Sequence, residues 1–144
     1  MKLVPHWVSG SEFAGNGKRR GEVFDPAKGI QSKEVAFADQ SDIDAAVAAA
    51  SAAFPSWRDT SLAKRSAIMF RFRELLDAKK GELAEIITEE HGKVVSDALG
   101  EINRGLEVVD FACGLPHLLK GEYSENASTS IDVYSMKQPL GVVG

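Results

Sequence analysis

The feature that most constrains this chain is a run of four helical patterns, from Ser41 to Lys120, bracketed on both sides by short stretches with strand-like alternation. Ile43, Ala46, Val47, Ala50, Ala53 and Phe54 recur at helical spacing, so one face of the first helix is apolar until Pro55, where the pattern predicts its end. Ser41 is expected to cap it, with Asp42 and Asp44 near the positive end of the dipole. Thr60 or Ser61 is expected to cap a second helix carrying Leu62, Ile68, Met69, Phe72, Leu75 and Leu76, with Gly81 as its join to the third. The third runs through Leu83, Ile86 and Ile87 to Gly92, a C-cap candidate. Ser96 is expected to open the fourth, whose stripe is Ala98, Leu99, Ile102, Leu106, Val109 and Cys113. It ends at Gly114 and Pro116 or continues, kinked, to Lys120.

Before this run, Trp7–Gly10, Gly21–Pro26 and Glu34–Phe37 read as short strands joined by tight turns, and Asp25–Gly29 has the Pro and Gly chemistry of one such turn. After it, residues 121–136 read as a protruding hairpin split by Ser124–Thr129. The predicted class is therefore α+β: a four-helix cluster with β arms and a hairpin.

At 144 residues and 44% hydrophobic, the chain has the length of one domain or part of one. A formal charge of −4 gives no basic excess to attract nucleic acid or an anionic membrane. No apolar run is long enough to span a bilayer, and the amino-terminal residues lack signal-peptide character, so a cytoplasmic setting is expected. One cysteine, Cys113, excludes an internal disulfide. It lies on an apolar stripe, which favours a core thiol over a nucleophile. His6, His91 and His117 share no metal-ligand spacing, so no metal site is expected.

Gly15–Gly21 has the glycines of a phosphate loop but neither the strand before it nor the helix after it, and reads as a solvated turn. Lys93 reads as a dipole partner for the third helix. Arg104 is the one candidate site residue. At about 100° per residue it falls opposite the apolar stripe and beside Asp97, Glu101 and Glu107, which describes a surface arginine with helical salt-bridge neighbours. However, Gly100 and Gly105 occupy the same helix although each costs about 1 kcal/mol relative to alanine. Such glycines suggest that something packs close to this face, where a guanidinium could grip a carboxylate through two parallel hydrogen bonds.

In order and spacing, Phe24–Gly29, Asp42–Val47, Ala53–Trp57 and Glu89–Lys93 resemble the aldehyde dehydrogenase superfamily. Ala98–Glu107, Gly114–Glu122 and Asp132–Val143 resemble its CoA-acylating methylmalonate-semialdehyde branch. The resemblance implies an incomplete part of the α/β aldehyde dehydrogenase fold. Residues 1–120 would be the helical part of a cofactor-binding domain with an amino-terminal β arm, residues 121–138 an oligomerisation hairpin, and residues 139–144 the first strand of a nucleotide-binding sheet. It further implies NAD-dependent oxidation of malonate or methylmalonate semialdehyde, with the acyl group passed through a cysteine thioester to CoA and carbon dioxide lost. Arg104 matches the position that holds the substrate carboxylate.

The family's catalytic and cofactor-binding residues match no position here, so neither NAD nor CoA is expected to bind this chain alone. Its expected partners are itself or the carboxy-terminal remainder of the enzyme. Two other readings stay open at this stage: a non-catalytic interaction module, and the amino-terminal part of an ordinary hydrolytic aldehyde dehydrogenase.

Overall fold

The computed structural model describes residues 1–144 and has the α+β character the sequence predicts. Five short strands come first: β1 (Lys2–Val4), β2 (His6–Val8), β3 (Ser11–Phe13), β4 (Arg20–Asp25) and β5 (Ile30–Ala36). β2 and β3 form a hairpin whose turn residues, Ser9 and Gly10, both have positive φ, as a tight two-residue hairpin requires. β5 is the centre of a three-stranded sheet, parallel to β1 and antiparallel to β4. The β4–β5 turn is the predicted one: the Asp25 carboxylate accepts from the Ala27 and Lys28 amides, and Gly29 takes φ +66°.

Four long helices follow: α1 (Gln40–Asp59), α2 (Leu62–Ala78), α3 (Lys80–His91) and α4 (Val95–Cys113), then the single turn α5 (Leu115–Leu118). Their boundaries differ from the sequence reading in four places, each for a local reason. Asp39, not Ser41, caps α1, because Asp39 and Asp42 form a reciprocal capping box that a serine two residues on cannot make. Pro55 lies inside α1, which continues to Asp59. Proline removes one backbone donor, but the last turn is closed by the Thr60 N–H to Trp57 O (3.1 Å) and Thr60 Oγ1 to Ser56 O (2.8 Å). The α2–α3 junction falls at Lys79, leaving Gly81 within α3. Val94, not Ser96, precedes α4: its carbonyl accepts from the Asp97 and Ala98 amides, both at 3.1 Å, without a side-chain cap. Ser61 and Gly92 cap as expected, the latter at φ +83° with its N–H on Thr88 O (2.9 Å).

The core is small and lies where α2, α3 and α4 meet. Ala84, Ala98, Ile102 and Leu106 are buried there, with Leu76, Leu83, Ile87 and Leu99 packed around them. Alanine at two of the four central positions lets the helix axes approach closely. α1 lies outside this group, beside the β2–β3 hairpin; Ala46, Trp7 and Val8 border a common cleft of about 490 Å³.

Strands β6 (Tyr123–Ser128) and β7 (Ile131–Tyr134) form the predicted hairpin, exposed along its whole length. Residues 139–144 form no strand. A strand exists only against a hydrogen-bonding neighbour, and none of the seven strands lies alongside this segment. Gly141, Val142 and Val143 instead border a cleft with Ala50, Ala53, Phe54 and Trp57 of α1.

Candidate functional site

Arg104 sits midway along α4, on the face opposite the buried Ala98, Ile102 and Leu106. Its side chain is exposed and joins no ion pair, although Asp97, Glu101 and Glu107 are helical neighbours. None of the expected partners forms a direct ion pair with it, although its charge is among those that lower the Glu101 carboxyl, after that of Lys93. The glycines on either side in sequence also differ from expectation: a Cβ added at Gly100, about 40° around the helix from Arg104, or at Gly105, about 100° around, would meet nothing within 4 Å, so packing within this chain holds neither position open. Two large apolar side chains continue the Arg104 face toward the C-terminus, Val108 at 68% and Phe111 at 69% exposure. Arg104, Val108 and Phe111 thus share an uncovered, outward face of α4.

Glu101, one turn before Arg104, is engaged from elsewhere. Lys93, in the turn between α3 and α4, forms an ion pair with it, and the Lys93 ammonium holds the Glu101 carboxyl below the ordinary carboxylate range. Lys93 thus acts as a cross-link between the α3–α4 turn and α4, a role beyond the dipole partner expected from sequence. No local pattern announces a pair eight residues apart across a turn. Lys33 makes a second such link, reaching Glu90 at 3.0 Å and Glu89 at 3.4 Å at the end of α3.

The Gly15–Gly21 loop is neither a phosphate loop nor a free turn. The Asn16 amide donates to Asp42 Oδ1 (2.8 Å), and the Gly17 and Asp39 amides donate to Oδ2 (3.1 and 3.0 Å). Asp42 is 3% exposed, and these donors, the Asn16 amide foremost, hold its carboxyl below the ordinary range. Its place three residues after Asp39 is the sequence signal that could have revealed the capping half of this arrangement. The Asn16 and Gly17 amides are turned onto Asp42 and not free to cradle a pyrophosphate, and a Cβ at Gly17 would stand 2.1 Å from Phe37 O, so that glycine serves a close approach between the loop and the segment after β5. No three His, Cys, Asp or Glu side chains gather as a metal would need. Cys113 is buried at the end of the α4 stripe, with Ser66 Oγ donating to its carbonyl at 2.8 Å. No helix is long and apolar enough to cross a membrane.

Comparison with known proteins fits this architecture. The model of the aldehyde dehydrogenase family matches residues 13–144, and the chain belongs to that family. Within it, the chain is 44% identical over 143 residues to malonate-semialdehyde dehydrogenase of Pseudomonas aeruginosa, covering 99% of this chain and 29% of that protein. It is 40% identical to the mitochondrial acylating methylmalonate-semialdehyde dehydrogenase of Arabidopsis thaliana, covering 96% and 23%. Among solved structures, the methylmalonate-semialdehyde dehydrogenase of Oceanimonas doudoroffii superposes with a TM-score of 0.92 at 43% identity, over 97% of this chain and 28% of that one. A protein of Sinorhizobium meliloti described as the same enzyme and solved with NAD gives 0.93 at 42% identity, over 98% and 29%. The chain thus spans less than a third of the length of these relatives, at their amino-terminal end, and has a partial aldehyde dehydrogenase fold.

Proposed function

We propose that this chain is the amino-terminal part of an NAD-dependent, CoA-acylating malonate- or methylmalonate-semialdehyde dehydrogenase of the cytoplasm. In this reading, residues 1–120 are the helical part of the cofactor-binding domain with its β arm. Residues 121–138 are an arm that joins subunits, and residues 139–144 become the first strand of the nucleotide-binding sheet once neighbouring strands are present. NAD accepts the hydride and CoA the acyl group in the whole enzyme; residues outside these 144 hold both cofactors and supply the thiol that carries the acyl group.

The contribution of this chain to the chemistry is Arg104. The observation that carries the reading is an exposed guanidinium without a carboxylate partner, between two open glycine positions. A semialdehyde of this class carries one carboxylate and one aldehyde a few atoms apart. Two N–H donors on the carboxylate fix the molecule at one end, so that the aldehyde is presented at a constant distance from the helix. The names of the relatives, all enzymes of carboxylated aldehydes, support this assignment.

The test is Arg104→Ala in the full-length protein, assayed with malonate semialdehyde and with propionaldehyde. Loss of charge-assisted hydrogen bonds worth about 1.5–3 kcal/mol lowers kcat/KM for the semialdehyde by about 10- to 150-fold and leaves propionaldehyde nearly unchanged. Equal loss for both substrates returns Arg104 to an ordinary surface residue.

A further inference from the structure

Arg104 lies in an acidic neighbourhood and yet is unpaired, which needs an explanation. On a helix, residues three and four apart are neighbours, and side chains lean toward the N-terminus, so the guanidinium of Arg104 overlies the turn that contains Gly100 and Glu101. Glu101 is therefore placed to compete with a substrate carboxylate for the guanidinium, and its carboxyl already feels the Arg104 charge. Glu101 is instead bound to Lys93, whose side chain is only 17% exposed while that of Glu101 is 49% exposed. The more enclosed partner thus holds the more exposed one. Of the other carboxylates on this face, Asp97 lies two turns away and Glu107 one turn on, and neither forms an ion pair.

We infer that Lys93 is a positioning residue for the carboxylate site: by holding Glu101 it keeps the Arg104 guanidinium free for the substrate. This rests on the substrate-binding reading of Arg104 given above. Lys93 does not touch the substrate in this scheme. It acts through Glu101, and its effect is on the fraction of molecules in which Arg104 is available. An exposed pair at this helical spacing has an association constant of about two, so releasing Glu101 would leave about a third of the Arg104 side chains unpaired and raise the apparent KM about threefold.

The experiment uses the full-length enzyme with malonate semialdehyde and propionaldehyde, comparing Lys93→Met, Glu101→Gln, Glu107→Gln, the double variant Lys93→Met/Glu101→Gln and Arg104→Ala. Lys93→Met is expected to raise KM for the semialdehyde about threefold with kcat and the propionaldehyde kinetics unchanged. The double variant, in which no carboxylate remains at 101, is expected to restore the original KM, and Glu107→Gln to change nothing. If Lys93 serves only to tie the α3–α4 turn to α4, both substrates suffer and removing Glu101 rescues neither, because the tie stays broken; that result overturns the inference. Arg104→Ala separates the two levels. If it fails to distinguish the substrates, the reading of the site is refuted. If it distinguishes them while Lys93→Met leaves KM unmoved or the double variant is not rescued, the inference alone is refuted.

Discussion

Gly100→Ala is the substitution that most sharply separates the folding of this chain from the enzyme function proposed for it. Gly100 lies in the interior of α4, away from either cap, and its φ is not positive. A Cβ there would meet nothing within 4 Å. Nothing in the structure therefore opposes alanine, and the full propensity difference of about 1 kcal/mol should appear as added stability. For a chain of this size that corresponds to about 3 °C in Tm. The assay is thermal unfolding followed by far-ultraviolet circular dichroism, run on the 144-residue chain and, in parallel, on the full-length enzyme. In the chain the expected result is a rise in Tm. In the full-length enzyme the same methyl group lies about 40° around the helix from Arg104 and one turn away, beneath the carboxylate that Arg104 is proposed to hold. There, kcat/KM for the semialdehyde is expected to fall about tenfold, the scale on which pockets discriminate one methyl group. A fall in Tm of the isolated chain would refute the reasoning, because it would mean that this face is already occupied. A rise in Tm with unchanged kinetics in the enzyme would refute the functional half.

Two further predictions concern the loop clamp and the hairpin. Because the Asp42 carboxyl is held below its ordinary value in the folded chain, its contribution is complete above the unfolded value near 3.8 and disappears as pH falls through the lower folded value. Asp42→Asn should therefore flatten the acid side of the stability profile and expose the Asn16, Gly17 and Asp39 amides to hydrogen exchange; unchanged protection there would show that the clamp is not formed. At the base of the hairpin, a Cβ on Gly121 would stand 1.9 Å from Ser135 O, so Gly121→Ala must separate the strands and speed exchange at the amide of Ser135, which donates to Glu122 O. Gly81→Ala, where a Cβ meets nothing, is the matched control and should leave exchange unaltered.

The helices and the hairpin were legible because their signals are local. Apolar spacing located α1 to α4, Gly92 marked the end of α3, and period-two alternation marked β7. Two of the four differing boundaries, both helix starts, share one cause: each depends on which of several neighbouring polar groups wins a backbone donor or acceptor, Asp39 over Ser41 at α1 and the bare Val94 carbonyl over Ser96 at α4. Arg104 could be placed on the correct face from the 3.6-residue repeat alone, and its lack of a partner could not, since that depends on Lys93 arriving from another element. Likewise the sequence marks Asp42 only as a dipole partner for its helix. Its main work, binding the amides of residues 25 and 26 positions earlier in the chain, is a tertiary fact with no periodic signature.

α1 brings these points together, because it inverts the usual amphipathic arrangement. The residue it buries is a carboxylate, Asp42, while Ile43, Val47 and Trp57 remain 48%, 49% and 45% exposed. An amphipathic helix ordinarily gains its stability from the apolar stripe, at about 1.5–3 kcal/mol for each large aliphatic side chain fully covered. Here that gain is only partly realised, and the helix is also fixed at its N-terminus by hydrogen bonds from the Asn16 and Gly17 amides. A polar anchor sets direction without consuming apolar surface, so the stripe from Ile43 to Trp57 stays available as one continuous strip facing the clefts that Trp7 borders at one end and Val142 at the other. The proposed placement of residues 139–144 at the start of a sheet follows the same logic: Val142 and Val143 already lie beside α1, and additional strands alongside them would extend the apolar cover along the helix. Hydrophobic periodicity identifies the apolar face of α1, and the Asp42 anchor explains how the helix is oriented while that face is only partly covered.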